Sequence, residues 1–182
     1  MDDQLQVLQT VAIRLERTGI SFMLTGSVAM DFYAVPRMTR DIDLVIEIDP
    51  SKADGLMEAF RDDFYFEPEA IKEAIGRKGM FNLIHRQAIV KVDFIVRKDD
   101  EYRKVEFGRR RRVDLSDGIP VWIVSPEDLL LSKLIWMRDS GSDLQSGDAA
   151  NIIRAVPELD APYLEKWARI LGLTDPLAKA AK

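Results

Sequence analysis

"TGSVAMDFYAVPRMTRDIDLVIE", Thr25 to Glu47, decides how the chain is read. Its last third alternates. Ile42, Leu44, Ile46 and, just beyond, Ile48 share one face of a strand, a period of two that predicts a half-buried sheet element. Asp41 and Asp43 then share the other face, ~7 Å apart at roughly 3.3 Å per residue. Like charges side by side repel; at an effective dielectric near 20, a pair ~4 Å apart is unfavourable by roughly 4 kcal/mol. Two carboxylates kept on one strand face therefore require a counter-charge. Upstream, Gly26-Ser27 joins the short strand "ISFMLT" (20–25) to a helical pattern that ends before Pro36. Glycine at such a junction permits close backbone approach, and the first helical N–H groups point outward, which outlines a phosphate site.

Outward from this stretch the chain alternates helix and strand, then turns wholly helical. Leu5, Leu8, Ala12 and Leu15 lie at helical spacing, with Gly19 as the stop. Asp49-Pro50-Ser51 opens a helix carrying Leu56, Met57 and Phe60. "MFNLIH" (80–85) and "AIVKVDFIV" (88–96) read as an antiparallel hairpin about Arg86-Gln87. Residues 99–107 fit helix or loop. "RRRRVDLSDGIPVWIV" (109–124) reads as a second hairpin turning at Asp117-Gly118. Ser125-Pro126-Glu127-Asp128 combines a cap, a first-turn proline and an acid three residues after the cap, predicting a helix to about Arg138. Gly141 and Ser142 break it, and another helix covers about 147–155. Asp160-Ala161-Pro162 starts a last helix with Tyr163, Leu164, Trp167, Ile170 and Leu171 inward; "TDPLAKAAK" (174–182) reads as a frayed tail. The predicted class is α/β (α+β): a mixed sheet flanked by helices over residues 1–124, and a small helical segment, 125–182, packed on it.

Composition narrows the functions. The 182 residues are 47% hydrophobic and 31% charged, which predicts an ordinary globular protein. No apolar run approaches the ~18 residues of a membrane helix, and the acidic start "MDDQLQVLQT" does not resemble a secretory leader, so a cytoplasmic location is expected. Absence of cysteine removes disulfides, thiolate nucleophiles and zinc–sulfur centres. The net charge of -5 argues against a general duplex-DNA coat protein and leaves room for a local basic patch.

A third acid completes a constellation. Asp93 stands between Val92 and Phe94 in "KVDFIV", an apolar strand. Three carboxylates on neighbouring strands need compensation, and magnesium supplies it, favouring a few carboxylates together with substrate phosphates and water. Two such ions about 3.5–4 Å apart would align an in-line attack at phosphorus. Lys133, set among Leu129, Leu130, Leu131, Leu134 and Ile135, either snorkels or meets an anion. His85, the single histidine, sits at a hairpin corner with no nucleophile placed beside it.

With these residues in place, the order Gly26-Ser27, Asp41/Asp43, Asp93 resembles the signature of the nucleotidyltransferase fold, the polymerase-beta-like superfamily. "SPEDLLLSKLIWMRDSGSDLQSGDAANII" (125–153) further resembles the helical segment of AbiEii-type nucleotidyltransferase toxins and their bacterial relatives, with Lys133, Arg138 and Asp148 at the matching positions. The resemblance implies a magnesium-dependent transfer of a nucleoside monophosphate from a triphosphate to an acceptor hydroxyl. Asp41 and Asp43 would ligate both metals, and Asp93 the catalytic one. Gly26 and Ser27 would hold the outer phosphates, Arg40 would lie beside them, and Lys133 would sit near triphosphate or acceptor. The acceptor implied is a tRNA or other RNA end, a protein or a small molecule; an antitoxin is the implied protein partner. Arg37, Arg40 and Arg109 to Arg112 would form a positive rim for RNA. Two other readings remain: an inactive nucleotide- or partner-binding regulator, and a glycosidase using paired acids, which the third acid and the lack of an aromatic sugar platform disfavour.

Overall fold

The computed structural model describes residues 2–115 and 120–181. Helix α1 (Asp2–Thr18) buries Leu8, Val11, Ala12 and Leu15 and ends at Gly19, whose φ of +63° reverses the chain into strand β1 (Ser21–Thr25). A short helix, α2 (Gly26–Met30), follows directly, and a loop leads to β2 (Asp41–Glu47). A 3-10 turn capped by Asp49 precedes α3 (Ala53–Phe60). Then come β3 (Phe64–Tyr65), α4 (Pro68–Arg77), β4 (Met80–His85), β5 (Lys91–Val96), α5 (Glu101–Gly108), β6 (Arg111–Asp114) and β7 (Pro120–Ile123). The helical remainder is α6 (Pro126–Ser140), α7 (Asp143–Ala155), α8 (Ala161–Leu171) and α9 (Thr174–Ala180).

Among the described residues seven strands form one sheet in the order β3-β4-β5-β2-β1-β7-β6. Its centre is mixed: β1 runs antiparallel to β2, β2 runs parallel to β5, and β1 runs parallel to β7. Ile42, Leu44 and Ile46 are fully buried on one face, as their alternation requires. The other face carries Asp41 and Asp43 on β2 and, in register, Lys91 and Asp93 on β5. Both predicted hairpins form, β4–β5 and β6–β7; the Asp117-Gly118 turn lies outside the described residues.

The helical segment holds to its predicted caps and departs at its ends. Ser125 Oγ accepts the Asp128 N–H, and Gly141 closes α6 at φ +66°. Asp160 caps α8 and Gly172 ends it at φ +68°. Helix α7 begins at Asp143, earlier than the expected start near 147. The tail expected to fray is α9: it packs against α6, α7 and α8, with Leu173 and Ala180 buried, and this packing supplies what so short a helix lacks by itself. The ambiguous stretch 99–107 is helix α5, capped by Asp100 accepting the Arg103 N–H. Among the described residues no helix is long and apolar enough to cross a membrane.

Candidate active site

The end of β1, the start of β2 and the strand β5 border a cleft of about 610 Å³. Thr25, Gly26, Ser27, Asp41, Asp43, Lys91 and Asp93 line it from the sheet side, and Lys133 and Trp136 from α6. The acids come together through register. Asp43 stands opposite Asp93 on the parallel neighbour and opposite Thr25 on β1. Because strand side chains alternate, Asp41, Asp43 and Asp93 all fall on the cleft face.

Gly26 has a second reason to be glycine beyond its φ of +68°. A Cβ there would lie 2.0 Å from Asp43 Oδ2, so the close approach at this turn is made by the Asp43 carboxylate itself. Burial, reinforced by the charge of Asp93, pushes the Asp43 carboxyl up from 3.8 to about 6. Asp93 is buried, whereas Asp41 is half-buried.

A cation sits among these carboxylates. Lys91 Nζ lies 2.8 Å from Asp93 Oδ2 and 3.1 Å from Asp41 Oδ2. Hydrogen bonding to Asp93 raises its pKa; burial opposes this, and the weaker bond to Asp41 adds to the rise. Among the described residues no three acidic or histidine side chains are already gathered round one point as metal ligands would be, and here the ammonium stands between two of the acids.

On the far side of Gly26 a second charged group closes the cleft. Lys133 and Asp148 are each 4% exposed and meet at 2.7 Å, joining α6 to α7. Arg37, from the loop before β2, grips both Asp148 oxygens at 2.9 and 3.1 Å and donates to Ser27 Oγ. Lys133 Nζ also reaches Ser27 Oγ at 3.4 Å. Burial alone would push Asp148 up, but the hydrogen bonds from Arg37 and Lys133 outweigh it and hold the carboxyl below its ordinary value. Helix α2 has five residues and little macrodipole, so the positive charge here comes from side chains.

The structure therefore brings Gly26, Ser27, Asp41, Asp43, Asp93 and Lys133 to one cleft, with Asp148 behind Lys133. It leaves out others. Arg40 is exposed and does not line the cleft. Arg138 is exposed too, bonded to Asp139 and to the Leu171 carbonyl, so it ties α6 to the end of α8. The expected rim of Arg109 to Arg112 is elsewhere. Arg109 pairs with buried Glu127 and Asp128 at 3.1 Å. Arg110 stacks on Phe107 and Trp122 beside Ser21, at the opposite end of β1. Arg111 and Arg112 lie on β6, at the sheet edge. Lys91, which sequence reasoning did not assign to the site, pairs with Asp93 and Asp41, and Arg37, expected only at an RNA rim, is bound instead to Asp148. Lys91 was recoverable from period two, being two residues before Asp93; Arg37 carries no local signal. His85 braces its own turn, its Nδ1 accepting the Ala88 N–H.

A Gly-Ser junction between β1 and α2, with acids in register on the next two strands, is an arrangement in which fold and chemistry agree, and the class it defines is the nucleotidyltransferases. Within that class, residues 11–146 match the family described as Nucleotidyl transferase AbiEii toxin, Type IV TA system, and the chain belongs to this family. No curated protein matches it. Among solved structures it is similar to an antigenic nucleotidyltransferase-like protein from Paracoccidioides brasiliensis. There the TM-score is 0.58 and the identity 21%, over 99% of this chain and 92% of that one. It is similar as well to ANT(2")-Ia in complex with adenylyl-2"-tobramycin, with TM-score 0.55 and 14% identity over 93% and 97% of the two chains. A third is a nucleotidyltransferase-like structure from Thermotoga maritima, with TM-score 0.53 and 17% identity over 91% and 92%. At these identities the likeness is one of fold.

Proposed function

We propose that the cleft binds a nucleoside triphosphate and transfers its nucleoside monophosphate to an acceptor hydroxyl, with Asp41, Asp43 and Asp93 as the acidic residues of the reaction. The observation that carries this reading is the sharing of one cleft by three register-aligned carboxylates and, across Gly26, the Ser27–Lys133 donors. The acceptor oxygen forms a bond to the α-phosphorus while the bond to the bridging oxygen breaks, and pyrophosphate leaves with that electron pair. Ser27, the Gly26 backbone and Lys133 hold the outer phosphates. Asp93, the most enclosed of the three acids, receives the hydroxyl proton. Such chemistry is mainly positioning and electrostatic stabilisation, which suits a rigid sheet carrying fixed charges.

The donor set fits divalent magnesium: it is all oxygen, and burial together with the neighbouring Asp93 charge holds the Asp43 carboxyl up at about 6, a burden that a bound cation would relieve. Asp41, Asp43 and Asp93 would hold the ions, which when bound supply Lewis-acid stabilisation of the phosphoryl oxygens and of the leaving pyrophosphate. Of the arginines expected as a rim for an RNA acceptor, Arg40 and Arg109 to Arg112 do not line the cleft and Arg37 is engaged by Asp148; Arg97 and Arg103, which do line it, are paired with Glu47 and Glu106. This weighs toward a protein or a small hydroxylated molecule as acceptor. Membership of a toxin family suggests toxicity and an antitoxin partner. The deciding experiment incubates the protein with each labelled nucleoside triphosphate, magnesium and cell lysate or total RNA. Label transferred to a discrete acceptor, and lost in Asp43→Asn, is expected. Triphosphate bound without transfer under any condition would instead leave an inactive regulator.

A further inference from the structure

We propose that Lys91 is a resident counter-ion: a positioning residue that holds Asp41 and Asp93 in the metal-free protein and must be displaced before a divalent cation enters. The inference rests on the reading of Asp41, Asp43 and Asp93 as metal ligands given above.

Its ammonium takes one oxygen from each of two strands, Asp41 Oδ2 and Asp93 Oδ2. A metal using these carboxylates competes for the same lone pairs and for the same small space, since magnesium–oxygen bonds are only ~2.1 Å. The placement is built into the sheet. Lys91 is the register partner of Asp41 and precedes Asp93 by two positions, so strand alternation directs all three to the cleft face.

Two of the cleft lysines, Lys133 and Lys91, differ in freedom. Lys133 has a side chain only 5% exposed and is locked against Asp148. The Lys91 side chain is 38% exposed and lines the open cleft, so it can leave the carboxylates without entering the core. Once displaced it needs an anion, and a polyphosphate arriving with the metal provides one in the same cleft. Metal and triphosphate therefore bind with positive coupling, each favouring the other through Lys91, and the coupling is reciprocal.

The test titrates manganese(II) alone into the nucleotide-free protein, then repeats the titration with inorganic triphosphate present. Wild type is expected to bind manganese weakly alone and more tightly with triphosphate. Lys91→Met is expected to bind manganese alone about ten-fold tighter or more, and to melt lower than wild type in chelator, with the gap closing on metal addition. Lys91→Arg, which keeps the cation, is expected to retain weak binding. Equal manganese affinity in wild type and Lys91→Met overturns the proposal. Should Lys91→Met fail to fold, the wild type decides: acylation of Lys91 by an amine reagent, followed by peptide mass spectrometry, must rise on saturation with manganese, and no change overturns the proposal. Absence of metal uptake by wild type even with triphosphate would overturn the metal-ligand reading itself. Uptake with triphosphate but no effect of Lys91→Met removes the role of Lys91 alone.

Discussion

At Asp43, burial and the charge of Asp93 act in the same direction, and the carboxyl releases its proton near 6 rather than at 3.8. The sign of the linkage follows. Below the unfolded value the group is protonated in both states and contributes nothing. Between the unfolded and the folded value the unfolded chain has released the proton and the folded one still holds it, so stability falls as pH rises across that window and stays lower above it. Two units at 1.36 kcal/mol each is about 3 kcal/mol as an upper figure. We predict that Asp43→Asn, in chelator, is more stable than wild type by about 1–3 kcal/mol at about pH 8 and indistinguishable from it at about pH 4. Urea unfolding at the two pH values measures this, and a loss of stability at the higher pH would mark Asp43 as a structural acid. Most of this site is written in short-range pattern. Gly26-Ser27, the Asp41–Asp43 spacing and Asp93 declare themselves by turn chemistry and by charges on an apolar strand. The partner of the acids does not. Lys91 reads as an ordinary strand lysine until the parallel register sets it opposite Asp41, and Arg37 meets Asp148 across 111 residues of chain, a contact only the folded chain can reveal.

Among the elements, α6 and α7 are joined by a buried ion pair whose two roles can be separated. Lys133 and Asp148 hold the helices together and present an ammonium to Ser27. Removing Asp148 leaves Lys133 as an unpaired buried charge, which costs roughly 3–5 kcal/mol, whereas replacing both with apolar residues of similar volume is often neutral; removing Lys133 alone still leaves Asp148 bonded to Arg37. We predict that Asp148→Leu destabilises by an amount in that range, and that Lys133→Met/Asp148→Leu recovers most of the stability without recovering triphosphate affinity. Thermal melts and triphosphate titration on the same samples separate the two roles. Recovery of binding by the double variant would show that Lys133 serves only the helix pair. Capped helices are the elements legible in sequence: Ser125-Pro126 and Asp160-Ala161-Pro162 mark α6 and α8 because the caps are local chemistry. The ends depend on neighbours. Helix α9 and the early turn of α7 form against α6 and α8, and their own residues carry no strong signal of it. The arginine run shows the same limit, since four consecutive arginines have separate fates once Arg109 turns toward Glu127 and Asp128 and Arg110 stacks on Trp122.

Across the whole molecule the buried residues form one cluster, running from Val7 in α1 through the sheet to Leu164, Trp167 and Ala180 in the last helices. Residues 1–124 and 125–182 differ in secondary structure, yet α6 packs on α2 and its buried leucines complete the core of the sheet. We therefore predict a single cooperative unfolding transition, with far-UV dichroism and tryptophan fluorescence coincident, because Trp122 reports the sheet and Trp167 the helices. Two separated transitions would mark the helical segment as an independent unit. The same sheet ends in two unlike margins, and their consequence concerns contact between molecules. An open strand presents unpaired backbone groups on which a second chain can add itself, extending the sheet from copy to copy. Here one margin is β3, two residues long, and the other is β6, whose exposed Arg111 and Arg112 place like charges wherever another β6 would align. We predict that Arg111→Val/Arg112→Val retains the fold but scatters light increasingly with protein concentration, while wild type stays dispersed. Equal scattering would place the guard elsewhere. If scattering rises as predicted, Arg111 and Arg112, which the cleft does not use, are solubility devices, keeping a concentrated solution of this chain from becoming a fibre.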